Sequence, residues 1–108
     1  IFPLIDLLKE KAGGKEKAAG ALFNLAVNDD NCVRIAKEGG ILLLIQLLRD
    51  GTAKGKVNAA DALLHLAVTA DRKAKIRESG LEIVQNAYND ESDAAAKESI
   101  QSLLDAIK

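Results

Sequence analysis

Residues 41–50 read Ile41-Leu42-Leu43-Leu44-Ile45-Gln46-Leu47-Leu48-Arg49-Asp50, and a closely similar decapeptide stands 40 residues earlier. There it is Ile1-Phe2-Pro3-Leu4-Ile5-Asp6-Leu7-Leu8-Lys9-Glu10, and 40 residues later it returns as Leu81-Glu82-Ile83-Val84-Gln85-Asn86-Ala87-Tyr88-Asn89-Asp90. A second block recurs at a spacing of 41. Ala19-Gly20-Ala21-Leu22-Phe23-Asn24-Leu25-Ala26-Val27 matches Ala60-Asp61-Ala62-Leu63-Leu64-His65-Leu66-Ala67-Val68 at six of nine positions. Two separate blocks agreeing in order and period mark a stacked repeat, in which each unit buries its apolar face only against its neighbours. The one-residue drift between 40 and 41 is placed in the turns around Gly13-Gly14 and Ala53-Lys54-Gly55, where an extra residue costs little.

Each period reads as three helices. Over residues 56–68, Ala59, Leu63, Leu66 and Ala67 share one face at helical spacing, with Asp61 and His65 opposite. The decapeptide at 41–49 is a second helix, entered through Gly39-Gly40 and left at Gly51. A short first helix is expected over 31–38, capped by Asp30 and ended by Gly39, with its counterpart over 72–79 bracketed by Asp71 and Gly80. No segment alternates with the two-residue period of a strand, so the chain is expected to be all-α. Eight helices should appear, ordered second–third and then first–second–third twice. The extra capped helix and the glycine before each second helix argue against a two-helix HEAT-type stack. The frame is a single domain, with a partial repeat over 1–27, a full repeat over 28–69, and a full repeat over 70–108 whose polar last helix acts as a cap. The expected core comprises Leu22, Leu25, Leu44, Leu47, Leu48, Leu63, Leu66 and Ile76.

Composition narrows the class of function. Of 108 residues, 48% are hydrophobic and 29% charged, which suits a folded core rather than disorder. Phe2, Phe23 and Tyr88 are the only aromatic residues, so Leu, Ile, Val and Ala must pack the interior, and small Ala lets helices approach closely. The net charge of −1 lacks the basic excess that a phosphate backbone requires, so nucleic acid is not expected as a partner. No apolar run reaches membrane-spanning length, and membrane insertion is not expected. Ile1-Phe2-Pro3-Leu4-Ile5 has no basic leader, and without an initiator Met the chain is expected to be a piece of a longer protein. The single cysteine, Cys32, cannot form an internal disulfide and fits a reducing, intracellular setting, cytoplasmic or nuclear.

The stretch over residues 24–68, NLAVNDDNCVRIAKEGGILLLIQLLRDGTAKGKVNAADALLHLAV, resembles an armadillo repeat of the glycine-rich-turn variety found in plant and protist arrays and in U-box ubiquitin ligases. The resemblance implies a right-handed armadillo-repeat superhelix, an α-solenoid of about 2.7 three-helix repeats. It also implies that the third helices line a concave groove for extended peptides. In importin-type arrays a Trp, and an Asn four residues later, recur on that helix. The Asn position maps to Asn24, His65 and Asp105, the Trp position to Gly20, Asp61 and Gln101, and one turn earlier stand Glu16, Val57 and Lys97. Only Asn24 keeps the family residue and no Trp exists, so recognition of basic nuclear-import signals in that mode is not expected. Phe23, Leu64 and Leu104 are candidates for an apolar groove edge.

Other chemistries lack their residues. Cys32 and His65 fall on different helices, and a Cys–His nucleophile needs them within hydrogen-bond reach. No Cys or His pair has metal-ligand spacing, and Asp29-Asp30-Asn31 reads as helix capping rather than a calcium loop. Gly51-Thr52-Ala53-Lys54-Gly55-Lys56 lacks the phosphate-loop pattern and follows a helix rather than a strand. No catalytic residue, metal or cofactor is expected. The expectation is a module that binds a protein or peptide, a fragment of a larger scaffold or ligase. The alternative is an architectural segment that self-associates through its N-terminal end.

Overall fold

Four polar side chains set where helices begin. The computed structural model describes residues 13–108, with side chains from Glu16 onward. In it Asn28, Thr52, Thr69 and Asp93 each accept a hydrogen bond from the backbone N–H three residues on, satisfying a donor that has no partner inside the helix. The helices in order are α1 (Gly13–Leu25), α2 (Asp29–Lys37), α3 (Gly40–Asp50), α4 (Ala53–Leu66), α5 (Ala70–Asp90) and α6 (Ala94–Ile107). No strand occurs among the described residues, and the fold is all-helical. Asp30 and Asp71, the caps expected from sequence, lie inside the first turns of α2 and α5, where a negative charge still favours the helix dipole. The caps themselves are Asn28 and Thr69, two residues upstream.

Seven of the expected helices fall within the described residues, and six form. The helix expected over 1–10 and the open end at Phe2, Leu4, Ile5 and Leu8 lie outside the described residues. The missing break is at Gly80. Between α2 and α3 the chain turns at Gly39, whose φ of 85° is the left-handed conformation that glycine adopts without steric cost. In the following repeat, Ile35-Ala36-Lys37-Glu38-Gly39-Gly40 has become Ile76-Arg77-Glu78-Ser79-Gly80, one residue shorter. The residue lost is the left-handed one. Without it the first and second helices join into the 21-residue α5. Gly80 serves as a small residue inside that helix rather than as its end. A Cβ built there would lie 2.8 Å from Ile45 Cδ1 and Cγ2 of α3, so only glycine lets the two helices approach this closely.

The same deletion explains the spacing of the last two copies. Residues 41–50 and 81–90 stand 40 apart because the residue equivalent to Gly39 is gone, and one extra residue in the turn over 91–93 returns the third helices to 41. The caps Thr52 and Asp93, and the buried pairs Ala59/Ile100, Ala62/Leu103, Leu63/Leu104 and Leu66/Ile107, all obey 41.

Helix α4 sits at the centre, packed against α1 on one side and α6 on the other, with α3 and α5 behind. Of the expected core, Leu22, Leu44, Leu47, Leu48, Leu63, Leu66 and Ile76 are buried, whereas Leu25 is half-buried near the end of α1. Successive turns are also tied in register. The Asn31 carboxamide donates to the Leu25 carbonyl at 3.0 Å, and 41 residues on Arg72 Nε donates to the Leu66 carbonyl at 2.8 Å. Each supplies a side-chain donor to a carbonyl at a helix C-terminus, where the helix itself provides no partner. Arg72 then reaches Asp29 at 2.8 Å through Nη2, joining the first turns of α2 and α5.

Candidate protein-binding site

Helices α1, α4 and α6 lie side by side as three copies of one element, so residues four apart along each form a strip on one helix face. On α1 the strip is Glu16, Gly20 and Asn24; on α4 it is Val57, Asp61 and His65. Asn24 is exposed and the other five are half-buried; none is in the core.

Contacts between neighbouring helices hold the strip together. Thr52 Oγ1 donates to Glu16 Oε2 at 3.3 Å, and Asn58 Nδ2 donates to the Glu16 carbonyl at 3.4 Å. The Phe23 and His65 rings meet at 5.1 Å between centroids, tilted by 47°, within the range of a stabilising aromatic contact. Phe23 and Leu64 are both half-buried, and Phe23 packs against the core. Partial burial pushes the Asp61 carboxyl above its ordinary value, against the opposing pull of the nearby Ser99 hydroxyl and His65.

On α6 the register differs from the expected one by a residue. Caps and core both place the α6 equivalents of Val57, Asp61 and His65 at Glu98, Ser102 and Ala106, not at Lys97, Gln101 and Asp105. A step of one residue turns the face by about 100°. Lys97 accordingly points at α5, its Nζ 4.7 Å from the centre of the Tyr88 ring, a cation–π contact. Gln101 Nε2 donates to Asp105 Oδ1 at 2.7 Å along the helix. Leu104 is the counterpart of Leu63, and at 5% exposure it belongs to the core rather than to a groove edge. The cause is the spacing of 40 carried over from the second helices, which the turn over 91–93 has already corrected.

Three side chains that shape the strip were not singled out from sequence: Thr52, Asn58 and Ser99. Asn58 and Ser99 stand 41 apart, and each faces the preceding third helix at the level of Gly20 and Asp61 respectively. A self-comparison of the third helices at 41 along their full length is the signal that finds them.

Side chains with chemical reactivity are occupied elsewhere. Cys32 is buried, its Sγ donating to the Ala26 carbonyl at 3.1 Å, and burial raises its thiol pKa. Among the described residues, no group of three His, Cys, Asp or Glu side chains is placed to hold a metal ion, and no helix is long and apolar enough to cross a membrane. A depression of about 340 Å³ opens on the far side, between α3 and α5, around Leu48, Arg49, Lys56, Glu82, Ile83 and Ala87. Its two cations are each tied to a carboxylate, Arg49 to Asp50 at 3.3 Å and Lys56 to Glu91 at 2.9 Å. Comparison of the chain with family models, with curated proteins and with solved structures returned no match.

Proposed function

We propose that this chain is a protein-interaction segment, part of an armadillo-like superhelix, that binds an extended segment of a partner along the strip formed by its third helices. The observation that carries this reading is that adjacent third helices present part-exposed side chains at matched positions four apart, polar on both helices at Asn24 and His65. Asn24, Asp61 and His65 offer an amide, a carboxylate and an imidazole at regular intervals, and amide and imidazole groups can both donate and accept toward a peptide backbone. Buried Leu22, Leu63 and Leu66 on the opposite face hold these helices in place, so the strip is presented by a rigid support. A binding role rather than catalysis suits a chain whose one thiol is buried and bonded to a carbonyl. That single cysteine also suits an intracellular setting.

The test is selection of 12-residue peptides from a random displayed library on the full chain, followed by affinity measurement on variants. Asn24→Ala and Asp61→Ala should each weaken the selected peptides by about tenfold while leaving the melting temperature within a few degrees, as for a central contact on a rigid surface. Arg34→Ala and Lys37→Ala on α2 should leave affinity unchanged. Loss of binding on the α2 substitutions, with none on the strip, places the working surface on the first helices and ends the proposal.

A further inference from the structure

The two steps of the strip are filled differently. Where α4 meets α6, the half-buried Asp61 carboxylate faces Ser99 across the step. Where α1 meets α4, the residue in the place of Asp61 is Gly20, and the residue in the place of Ser99 is Asn58. Gly20 has no side chain to reach across, and the Asn58 carboxamide stands against the place where its Cβ would be. A depression of about 380 Å³ opens there, lined by Glu16, Lys17, Gly20, Lys54 and Asn58.

The walls of this depression carry donors. A Cβ built on Gly20 would stand 3.2 Å from Asn58 Nδ2, so the absence of a side chain at Gly20 is what lets that amide donor line the depression. Its present bond to the Glu16 carbonyl is long, at 3.4 Å. Lys17 and Lys54 are exposed on opposite sides, one on each helix, and neither pairs with a carboxylate among the described residues. Among the described residues lining the site, Glu16 is the one carboxylate, and it accepts from the Thr52 hydroxyl. Among the described lining residues the balance is therefore two cations to one anion, with the neutral Asn58 amide between the helices.

We propose that the Gly20 depression is a specificity pocket for an acidic side chain, Asp or Glu, of the extended segment bound along the strip. The molecule contains its own precedent, since Asp61 supplies from within the chain at the second step what the partner supplies at the first. Charge-assisted hydrogen bonds from Lys17, Lys54 and the Asn58 amide hold the carboxylate, and such bonds are stronger than their neutral counterparts. This inference rests on the third-helix strip being the binding face, and it adds which residue type that face selects and where.

Three fluorescent nonapeptides in a Ser-Gly background test it, differing only at the centre: Glu-Asp-Glu, Gln-Asn-Gln and Lys-Arg-Lys. Anisotropy titration of the full chain should show the acidic peptide binding about tenfold tighter than the amide peptide, as expected when a charged acceptor replaces a neutral one. Gly20→Asp places a carboxylate in the pocket from within, and should abolish that preference while the chain keeps its helical circular dichroism. Lys17→Glu combined with Lys54→Glu is the second variant. It leaves Gly20 in place and should turn the preference toward the Lys-Arg-Lys peptide. If the basic or amide peptide binds best to the unaltered chain and is lost on Asp61→Ala, the strip binds but the acidic pocket is overturned. If the acidic peptide binds best and neither Gly20→Asp nor the double Lys reversal weakens it, the pocket is likewise overturned. Should every bound peptide be insensitive to Asn24, Asp61 and Gly20 alike, the strip itself is not the binding face and both readings fall.

Discussion

The middle repeat and the last repeat use nearly the same letters before their second helices, yet one is broken and the other continuous. Between α2 and α3 the chain has Glu38-Gly39-Gly40-Ile41, and Gly39 turns through a left-handed conformation. Within α5 it has Glu78-Ser79-Gly80-Leu81 and runs straight through. The second glycine of the first pair, Gly40, and the lone Gly80 are equivalent, and both are buried. What differs is a single residue, the one able to take positive φ. A glycine therefore reads as a helix stop only where the chain has a residue to spare for the turn. Without the spare residue the same glycine is a contact point, kept small by Ile45.

The largest effect is expected from restoring that residue. Inserting Gly between Ser79 and Gly80 should split α5 into two helices, seen as a lost run of helical carbon chemical shifts at the insertion, with the core retained. If α5 stays continuous, the insertion instead rotates everything beyond it by about 100°, and cooperative unfolding should be lost. The next effect concerns register. Leu63→Ala should lower stability by about 2–5 kcal/mol, and Leu104→Ala should fall in the same range because it is the same core position one repeat on. A loss for Leu104→Ala within error in urea titration contradicts the spacing of 41. Gly80→Ala should cost about 1–3 kcal/mol by overpacking against Ile45, and Ile45→Val should recover part of that cost in the double variant.

Smaller effects separate the two carbonyl locks. Arg72→Ala removes a charged donor from the Leu66 carbonyl and should cost about 1.5–3 kcal/mol, against about 1 kcal/mol for Asn31→Ala, whose donor is neutral. Asp29→Asn should change stability by less than about 1 kcal/mol, because that partner of Arg72 is 73% exposed and screened by solvent. Equal losses for Arg72→Ala and Asp29→Asn in thermal melts would mean that the ion pair, not the carbonyl bond, matters.

Among the described residues two carboxylates have displaced pKa values, and they respond to pH with opposite sign. Glu91 is held below its ordinary 4.5 by the Asp93 backbone N–H and by Lys56. Its contribution is complete above the unfolded value and is lost as pH falls through the folded one, so Glu91→Gln should flatten the fall in stability below about pH 4.5. Asp61 is raised by burial, so its effect on stability is most favourable at low pH and is lost as pH rises through the folded value. Asp61→Asn should leave neutral-pH stability unchanged or slightly higher. A marked loss at neutral pH shows that the charged form is required by the fold.

Much of this fold is legible in the repeat itself. The bounds of α3 follow from Gly39 and Gly51, and the buried face of α4 follows from Ala59, Leu63 and Leu66. The cap of α2 was ambiguous because Asn28, Asp29 and Asp30 are all good capping residues, and only backbone geometry chooses among them. The fused α5 was hidden because a deletion of one residue leaves the surrounding letters intact. The strip on α1 and α4 is readable as positions four apart. Its continuation on α6 required knowing that the turn over 91–93 had restored the spacing, and the pocket at Gly20 depends on Asn58, which is brought there by packing alone.

The most direct measurement is a nitrogen–proton NMR titration of the full chain with a peptide selected for tight binding. A third-helix binding face predicts the strongest shifts at the amides of Gly20, Asn24, Asp61 and His65 and at the Asn58 side chain, with α2 and the outer face of α5 unmoved. Shifts concentrated at Arg34, Lys37, Arg77 and Glu78, with the third helices silent, would contradict it.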